Sequence, residues 1–353
     1  MLQTIKNKIK NIILPSDPDL HYGGHYGSFS YWRLFLWNLT HPGRLYNRMR
    51  YGQLFKINSI RKSVFKKRLL ELKENNINPE NYTNNQLCSK LDELLNTGGI
   101  VIENYFSENK IKKFLDKHKL EIEKIKNFNP TSYAGNNQKN LVISDELVDL
   151  WLDPYMIQLI SSFYGRDALS RNYPSILYTV SRKKLDSRSI YEKKIKTNVA
   201  EFWHVDHSVL FNMHVLLNDI NADDAHMQYI PGSHKFPNTS NNFSDEVIKK
   251  LGIKPVQCIG KRGTVYMHYG NTLHKLSMEK SKSNRLALHL EFTAGSNIML
   301  DCSAISKCLS SGFDLNKLSE KHRNILKGIF PKPFPKGYEI NKEAISPTKY
   351  KGI

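Results

Sequence analysis

Cysteine is scarce in this chain, which has four cysteines in 353 residues. The four residues form no Cys-x-x-Cys pair: Cys88, Cys258, Cys302 and Cys308. This sparse pattern argues against a disulfide scaffold and against a zinc site. It favours a reducing compartment.

Long apolar runs are also missing. No run approaches the roughly 20 apolar residues that cross a bilayer, so the sequence predicts no transmembrane helix. The apolar patch at residues 12–14 is too short to form the core of a signal peptide. We therefore expect a cytoplasmic location, with peripheral contact to a membrane as the alternative.

Acidic residues are in the minority, because 33 Asp and Glu stand against 52 Lys and Arg, for a net charge of +19. Such a balance favours anionic partners, such as phosphate-bearing substrates, nucleic acid or a membrane surface, although a solvated lysine-rich surface gives the same balance. The excess is largest in residues 1–70, where 13 Lys and Arg face only Asp17 and Asp19. We interpret residues 1–70 as a basic N-terminal extension.

The extension has three possible roles. The tryptophans and tyrosines near arginines in residues 31–50 suit a membrane interface, so peripheral membrane contact through residues 1–50 is one role. Packing of the tryptophans on the protein core is the simpler role. Contact with nucleic acid is the least favoured, because no recognised binding module accompanies the charge.

Apolar residues at helical spacing dominate the first half of the remaining chain. The expected elements are a helix at 59–74, a helix at 87–95 that Gly98 and Gly99 end, a strand at 99–103, a helix capped by Ser107, and two helices within 145–164. The polar segment 127–140 and the Lys- and Arg-rich segment 181–196 read as loops.

From residue 202 to residue 293 the pattern is almost entirely that of short strands bounded by turns, which indicates a sandwich or a barrel. An insertion at 235–252 carries one helix near 245–251. The tail, residues 301–353, carries one helix at 318–330.

The short stretch from Trp203 to Asp206 contains a metal-binding pattern. His204 and Asp206 lie two residues apart near the end of a strand, so their side chains leave the same face and can share one metal ion. The pattern alone is common, but other motifs follow it in order. These are a Pro-Gly-Ser-His-Lys loop at 231–235, a Gly-Thr-Val-Tyr-Met-His segment at 263–268, His274, and Arg285 eleven residues after His274.

This order of motifs resembles the phytanoyl-CoA dioxygenase family of Fe(II)/2-oxoglutarate oxygenases, over about residues 95 to 295. The resemblance implies an α+β chain whose mainly β core is a double-stranded β-helix, a cupin-like jelly roll, with flanking helices. We expect the oxygenase domain, with a helical entry segment, to span residues 71–300. The resemblance also implies that the loop at 127–140 is a lid over the active site.

The resemblance also assigns roles to individual residues. His204, Asp206 and His274 would be the iron ligands, a facial triad of two histidines and one carboxylate. Arg285 would bind the 5-carboxylate of 2-oxoglutarate through its guanidinium fork. The implied reaction uses Fe(II), 2-oxoglutarate and O2, hydroxylates an unactivated C–H bond of a small-molecule, lipid- or carrier-linked substrate, and releases succinate and CO2. Related halogenases have a small residue in place of the carboxylate, so Asp206 favours oxygenation.

One departure from the family pattern affects the cosubstrate pocket. Leu276 stands where the family often has a serine that contacts the cosubstrate. Ser277, Tyr178, Thr179 and Asn212 are therefore the further candidates for holding 2-oxoglutarate. His268 is expected beside the metal but not as a ligand, and His207 is expected to point to the opposite face.

Two other functions stay open at this point. One is a non-catalytic jelly-roll protein with a vestigial metal site that acts through its basic N-terminal region. The other is a zinc or manganese enzyme of cupin type without 2-oxoglutarate. The four residues His204, Asp206, His274 and Arg285 favour the oxygenase over both. The basic segment at 181–196 favours an anionic substrate.

Overall fold

The structure, a computed structural model, describes residues 58–127, 136–165, 167–171, 173–181, 203–206, 210–235, 242–243, 245–278, 281–293 and 312–326. The basic region at 1–57, with its predicted membrane contact, lies outside the described residues. Most of the basic loop at 181–196 and His207 also lie outside them.

The described residues contain eight α-helices. They are α1 (Asn58–Glu74), α2 (Asn84–Thr97), α3 (Glu108–Lys117), α4 (Lys119–Asn127), α5 (Asp145–Trp151), α6 (Pro154–Tyr164), α7 (Asp245–Lys250) and α8 (Glu320–Leu326). The strands are β1 (Gly99–Ile102), β2 (Asn136–Asn140), β3 (Leu169–Ser170), β4 (Ser175–Thr179), β5 (Trp203–His204), β6 (Phe211–Leu216), β7 (His226–Tyr229), β8 (Asn242–Phe243), β9 (Val256–Cys258), β10 (Val265–Tyr269), β11 (His274–Ser277) and β12 (Arg285–Thr293).

The described strands form two antiparallel sheets. The larger sheet has seven strands in the order β1-β10-β6-β12-β4-β2, with β3 paired to β12. The smaller sheet has five strands in the order β8-β5-β11-β7-β9. Side chains from both sheets meet between them, since Leu216 and Tyr266 of the larger sheet share one buried cluster with Tyr229 and Cys258 of the smaller sheet. This arrangement confirms the predicted jelly-roll core with flanking helices.

Strand alternation divides the larger sheet into an apolar outer face and a polar inner face. On β6, Phe211, Met213 and Val215 join the main hydrophobic core together with residues of the helices. The alternate residues of the same strand, Asn212 and His214, therefore face the smaller sheet. The helices thus cover one face of the larger sheet, and the other face is left for polar side chains.

The turn between α2 and β1 brings the helical layer onto the larger sheet. Thr83 begins α2 with a capping box, and Gly98 ends it in the left-handed region at φ 77°. A Cβ atom on Gly98 would lie 2.3 Å from the imidazole of His234. Only glycine meets both requirements at this position. The turn places Gly99 opposite His268 in the β1–β10 pairing.

The structure adds detail to three of the predicted segments. Helix α1 spans the proposed domain boundary at residue 70, and its Phe65 and Leu69 are buried in the main core. The predicted loop at 127–140 ends in β2, which pairs with β4 at the edge of the larger sheet. The tail helix packs on the core through Ile325 and Leu326. Among the described helices, none has the length and apolar character needed to cross a bilayer.

Candidate metal and cosubstrate site

His204, Asp206 and His274 come together on the smaller sheet. His204 and His274 are directly opposite each other in the antiparallel pairing of β5 with β11. The chain then leaves β5, and the amide of Asp206 donates to the carbonyl of Gly270 at 2.7 Å. This bond holds the carboxylate beside the two rings. The pairing therefore unites residues that are 70 positions apart in the sequence.

The distances between the three side chains suit a single metal ion. Asp206 Oδ1 lies 3.8 Å from His204 Nε2, and Asp206 Oδ2 lies 3.4 Å from His274 Nε2. One ligand atom from each residue lies within 4.8 Å of the others. Metal–ligand bonds of about 2.1 Å at right angles place neighbouring ligand atoms about 3 Å apart, so a small contraction closes the set around an ion.

The side chains of the triad present the protonation states that a divalent metal needs. His274 Nδ1 lies 2.9 Å from the carbonyl of Thr272, which can only accept, so its proton is on Nδ1 and its Nε2 lone pair is free for a metal. Burial lowers the pKa of His274 well below its usual value. Burial raises the pKa of Asp206, but the neighbouring imidazoles outweigh it and lower this pKa to about 2. His274 therefore offers a neutral nitrogen to a metal ion, and Asp206 offers a negatively charged oxygen.

The triad is open on one side. The side chain of His274 is 4% exposed, whereas those of His204 and Asp206 are 13% and 25% exposed. The ring of His268 packs against His274 with 4.0 Å between ring centroids. His268 is thus next to the triad without belonging to it, as the sequence predicts. The exposed side leaves room for small ligands to reach a bound metal.

Arg285 is a buried cation on the inner face of the larger sheet, with 1% of its surface exposed. Its guanidinium donates to Thr179 Oγ1 at 3.4 Å, to the hydroxyl of Tyr266, and to His214 Nδ1 at 3.5 Å. All three partners are neutral, and its Nε–H has no acceptor among the described residues. A buried charge without a counter-charge is costly, so this site is built to receive an anion.

The other predicted cosubstrate residues are placed differently. Asn212 faces the triad and donates from Nδ2 to Asp206 Oδ2 at 2.6 Å, so it contacts a metal ligand. Tyr178 lies opposite Leu286 on the outer face of the sheet, where its hydroxyl accepts from Asn284 at 2.6 Å. Its neighbour Thr179 is the residue that contacts Arg285.

Ser277 also lies away from the site. The β11–β7 pairing is regular from His274 to Ser277, so His274 and Leu276 share one face and Ser277 leaves the other. Its predicted contact with the cosubstrate required an irregular strand, and the strand is regular. Ser277 and Tyr178 therefore leave the faces of their strands opposite to those of His274 and Arg285.

Sequence reasoning missed three side chains of the inner face: Tyr266, His214 and His289. Tyr266 contacts Arg285, and its ring stacks on His214 with 4.5 Å between centroids and an interplanar angle of 11°. His214 stacks on His289 at 4.6 Å and 21°. Strand alternation could have found them, since Tyr266 is two residues before His268 and His289 is four residues after Arg285.

The chain matches the family model of phytanoyl-CoA dioxygenase (PhyH) over residues 95–287, more than half of its 353 residues. It belongs to this family. With the His-Asp-His triad, this membership makes the chain a non-haem iron enzyme whose cofactors are iron, 2-oxoglutarate and O2. No curated protein sequence matches the chain.

Several solved structures are similar to this chain at low identity. The non-heme alpha ketoglutarate dependent carbocyclase SnoK of nogalamycin biosynthesis is 16% identical and covers 61% of this chain and 87% of its own, with a TM-score of 0.46. EctD from S. alaskensis, solved with 2-oxoglutarate and 5-hydroxyectoine, is 16% identical over 59% and 76%, with a TM-score of 0.45. AviO1 from Streptomyces viridochromogenes is 14% identical over 59% and 95%, with a TM-score of 0.44.

Proposed function

We propose that this chain is a hydroxylase that inserts oxygen into an unactivated C–H bond of a small-molecule, lipid- or carrier-linked substrate and releases succinate and CO2. This proposal is supported mainly by one combination: a triad whose atoms can bind a metal ion, together with a buried arginine that has no counter-charge among the described residues. A metal site alone needs no such arginine. A dicarboxylate that reaches from the metal to Arg285 explains both.

The residues of the triad have separate tasks in this proposal. His204, Asp206 and His274 hold the iron, and Asp206 supplies the one negative charge of the set. Bound iron and 2-oxoglutarate would supply the oxidising chemistry, since the 2-oxo acid would give two electrons to O2 as it is converted to succinate and CO2. His274 keeps its proton on Nδ1 through the carbonyl of Thr272, which keeps Nε2 directed at the metal.

At the other end of the pocket, Arg285 receives the distal carboxylate of 2-oxoglutarate. Its position is set by Thr179 and Tyr266, which hold the guanidinium from two sides. The Tyr266 hydroxyl accepts from Arg285, so its own proton stays available for the carboxylate. In this proposal Thr179, one of the four candidates from the sequence, supports this end of the cosubstrate together with Tyr266.

The substrate is proposed only as a chemical class. The basic segment at 181–196 favours an anionic molecule, and a contact of residues 1–50 with a membrane favours a lipid-linked one. Residues 1–50 and 182–196 lie outside the described residues, so these two preferences stay predictions from charge. The vestigial-site alternative is disfavoured by the complete triad and the intact arginine pocket.

The proposed function is tested by turnover of 2-oxoglutarate. With Fe(II), ascorbate and O2, we expect the purified protein to convert 2-oxoglutarate to succinate slowly in the absence of a substrate. The rate should rise when a substrate is added, so a library of carboxylated and acyl-linked small molecules is screened for compounds that raise it. NMR detection of succinate, with mass detection of a product 16 Da heavier than its precursor, measures both halves of the reaction. A metal-loaded protein that forms no succinate contradicts the oxygenase. Succinate coupled to a product other than an alcohol contradicts hydroxylation alone.

A further inference from the structure

The hydrogen bond from Asn212 to Asp206 continues beyond the metal site. The amide nitrogen of Asn212, Nδ2, donates to Asp206 Oδ2 at 2.6 Å. This assignment turns the carbonyl oxygen of Asn212, Oδ1, toward β12. The orientation of Asn212 is therefore set by a metal ligand at one end.

The other end of Asn212 is set by His289. Its Nε2 lies 3.2 Å from Asn212 Oδ1, which can only accept, so His289 carries its proton on Nε2. Glu291 Oε1 is 3.7 Å from the same nitrogen, too far for a strong hydrogen bond. Asn212 is thus held between the Asp206 carboxylate and the His289 imidazole.

The ring of His289 is itself held in place. It stacks on His214, and His214 stacks on Tyr266, which contacts Arg285. These four side chains come from three neighbouring strands, β12, β6 and β10, and all face inward. Rotation of His289 away from Asn212 would break the stack.

From this geometry we propose that His289 is a positioning residue for the metal centre. It acts through Asn212, which fixes the rotation of the Asp206 carboxylate before a metal arrives. Neither residue touches the metal. The proposal rests on the metal site of the proposed function. It adds that the amide of Asn212 and the imidazole of His289, both on the inner face of the larger sheet, orient the carboxylate of Asp206.

The test uses EPR to measure the affinity for Mn(II) in the absence of 2-oxoglutarate, for four variants of this contact chain and one control variant. His289→Phe keeps an aromatic ring for the stack but removes the donor, and His289→Gln restores an N–H. Asn212→Leu removes the link with little change in volume, and the double variant Asn212→Leu/His289→Phe tests whether the two residues act in series. His226→Phe is the matched control, since His226 is a buried strand histidine whose bonds go to the carbonyl of Asp224 and to Gln228.

We expect His289→Phe and Asn212→Leu each to weaken Mn(II) binding by about 10- to 100-fold, the usual effect of losing a group that orients a metal ligand. The double variant should lose no more than the worse single variant, because both changes break one chain of contacts. His289→Gln should bind more tightly than His289→Phe, and His226→Phe should bind as the unaltered protein does. The melting temperature of each metal-free variant checks that it folds.

Three results would overturn the positioning role. These are Mn(II) binding by His289→Phe at unaltered affinity, losses that multiply in the double variant, or a glutamine variant no better than the phenylalanine variant. If His289→Phe does not fold, Asn212→Leu decides alone, since unaltered affinity there also overturns the role. The proposed function fails separately, through an unaltered protein that binds Mn(II) but forms no succinate from 2-oxoglutarate.

Discussion

Arg285→Met should abolish measurable 2-oxoglutarate binding while the metal-free protein becomes no less stable. Loss of one partner from a buried, hydrogen-bonded ion pair costs roughly 2–5 kcal/mol, so the affinity should fall by about 30- to 5,000-fold. Without the ligand, Arg285 is a buried cation that only neutral groups contact, and its removal relieves a desolvation cost. Function and stability therefore change in opposite directions.

Calorimetric titration of 2-oxoglutarate into the Mn(II)-loaded variant measures the first effect, and thermal unfolding of the metal-free variant measures the second. Arg285→Lys should bind 2-oxoglutarate more weakly than the unaltered protein and more tightly than Arg285→Met, because an ammonium group keeps the charge but loses the planar fork. Arg262→Met is the matched control, since Arg262 is an exposed arginine that pairs with Glu108 at 2.7 Å. A large loss of stability in Arg285→Met, with 2-oxoglutarate affinity retained, would make Arg285 a structural residue.

Asp206→Ala should remove metal binding, and with it most of the affinity for 2-oxoglutarate. The change leaves two imidazoles and no carboxylate, a poor site for a hard divalent ion. We expect the affinity for Mn(II) to fall by at least about 100-fold, more than the loss from residues that only orient a ligand. The effects of Asp206→Ala and Arg285→Met are therefore unequal, since Arg285→Met should leave metal binding intact.

EPR titration with Mn(II) measures this loss directly. Asp219→Ala serves as the control, because Asp219 is a surface carboxylate that pairs with Lys261 at 2.8 Å. Nearly unaltered Mn(II) affinity in Asp206→Ala would show that the ion binds elsewhere in the chain. Equal loss of metal affinity in Arg285→Met would contradict the separation of the two tasks.

The sequence predicts the residues of the candidate site from two kinds of pattern: the spacing of neighbouring residues and the order of motifs along the chain. The spacing of His204 and Asp206 predicts that they share a face, although β5 ends at His204 and the bond from the amide of Asp206 to Gly270 holds the carboxylate in place. The distal histidine and the arginine follow from the resemblance, through the order of motifs around His274 and Arg285. Spacing therefore indicates two of the four positions, and the resemblance supplies the other two.

The layer that supports the centre could not be predicted in the same way. Asn212, His214, Tyr266 and His289 belong to three strands, and only the register of β6 with β10 and β12 brings them together. A register shift of one residue would turn each of them to the outer face. No local pattern in the sequence specifies that register.

The two misplaced cosubstrate residues have the same cause. Ser277 was a candidate because a hydroxyl is expected near the distal histidine, and Tyr178 because its strand leads toward the motif. The candidate Ser277 required an irregular strand, but the register of β11 is regular and turns Ser277 away from His274; alternation likewise turns Tyr178 away from Arg285. The hydroxyl groups beside Arg285 come instead from Thr179 and Tyr266.

The central claim is that the triad and Arg285 together hold iron and 2-oxoglutarate in one site. Anaerobic titration of the protein with Fe(II) and 2-oxoglutarate tests it most directly, because chelation of the 2-oxo acid by iron gives a weak visible charge-transfer band. We predict that the band appears with the unaltered protein only when both are present, and that Asp206→Ala and Arg285→Met lose it at moderate 2-oxoglutarate concentration. A folded, iron-loaded protein that shows no band at saturating 2-oxoglutarate would contradict the account.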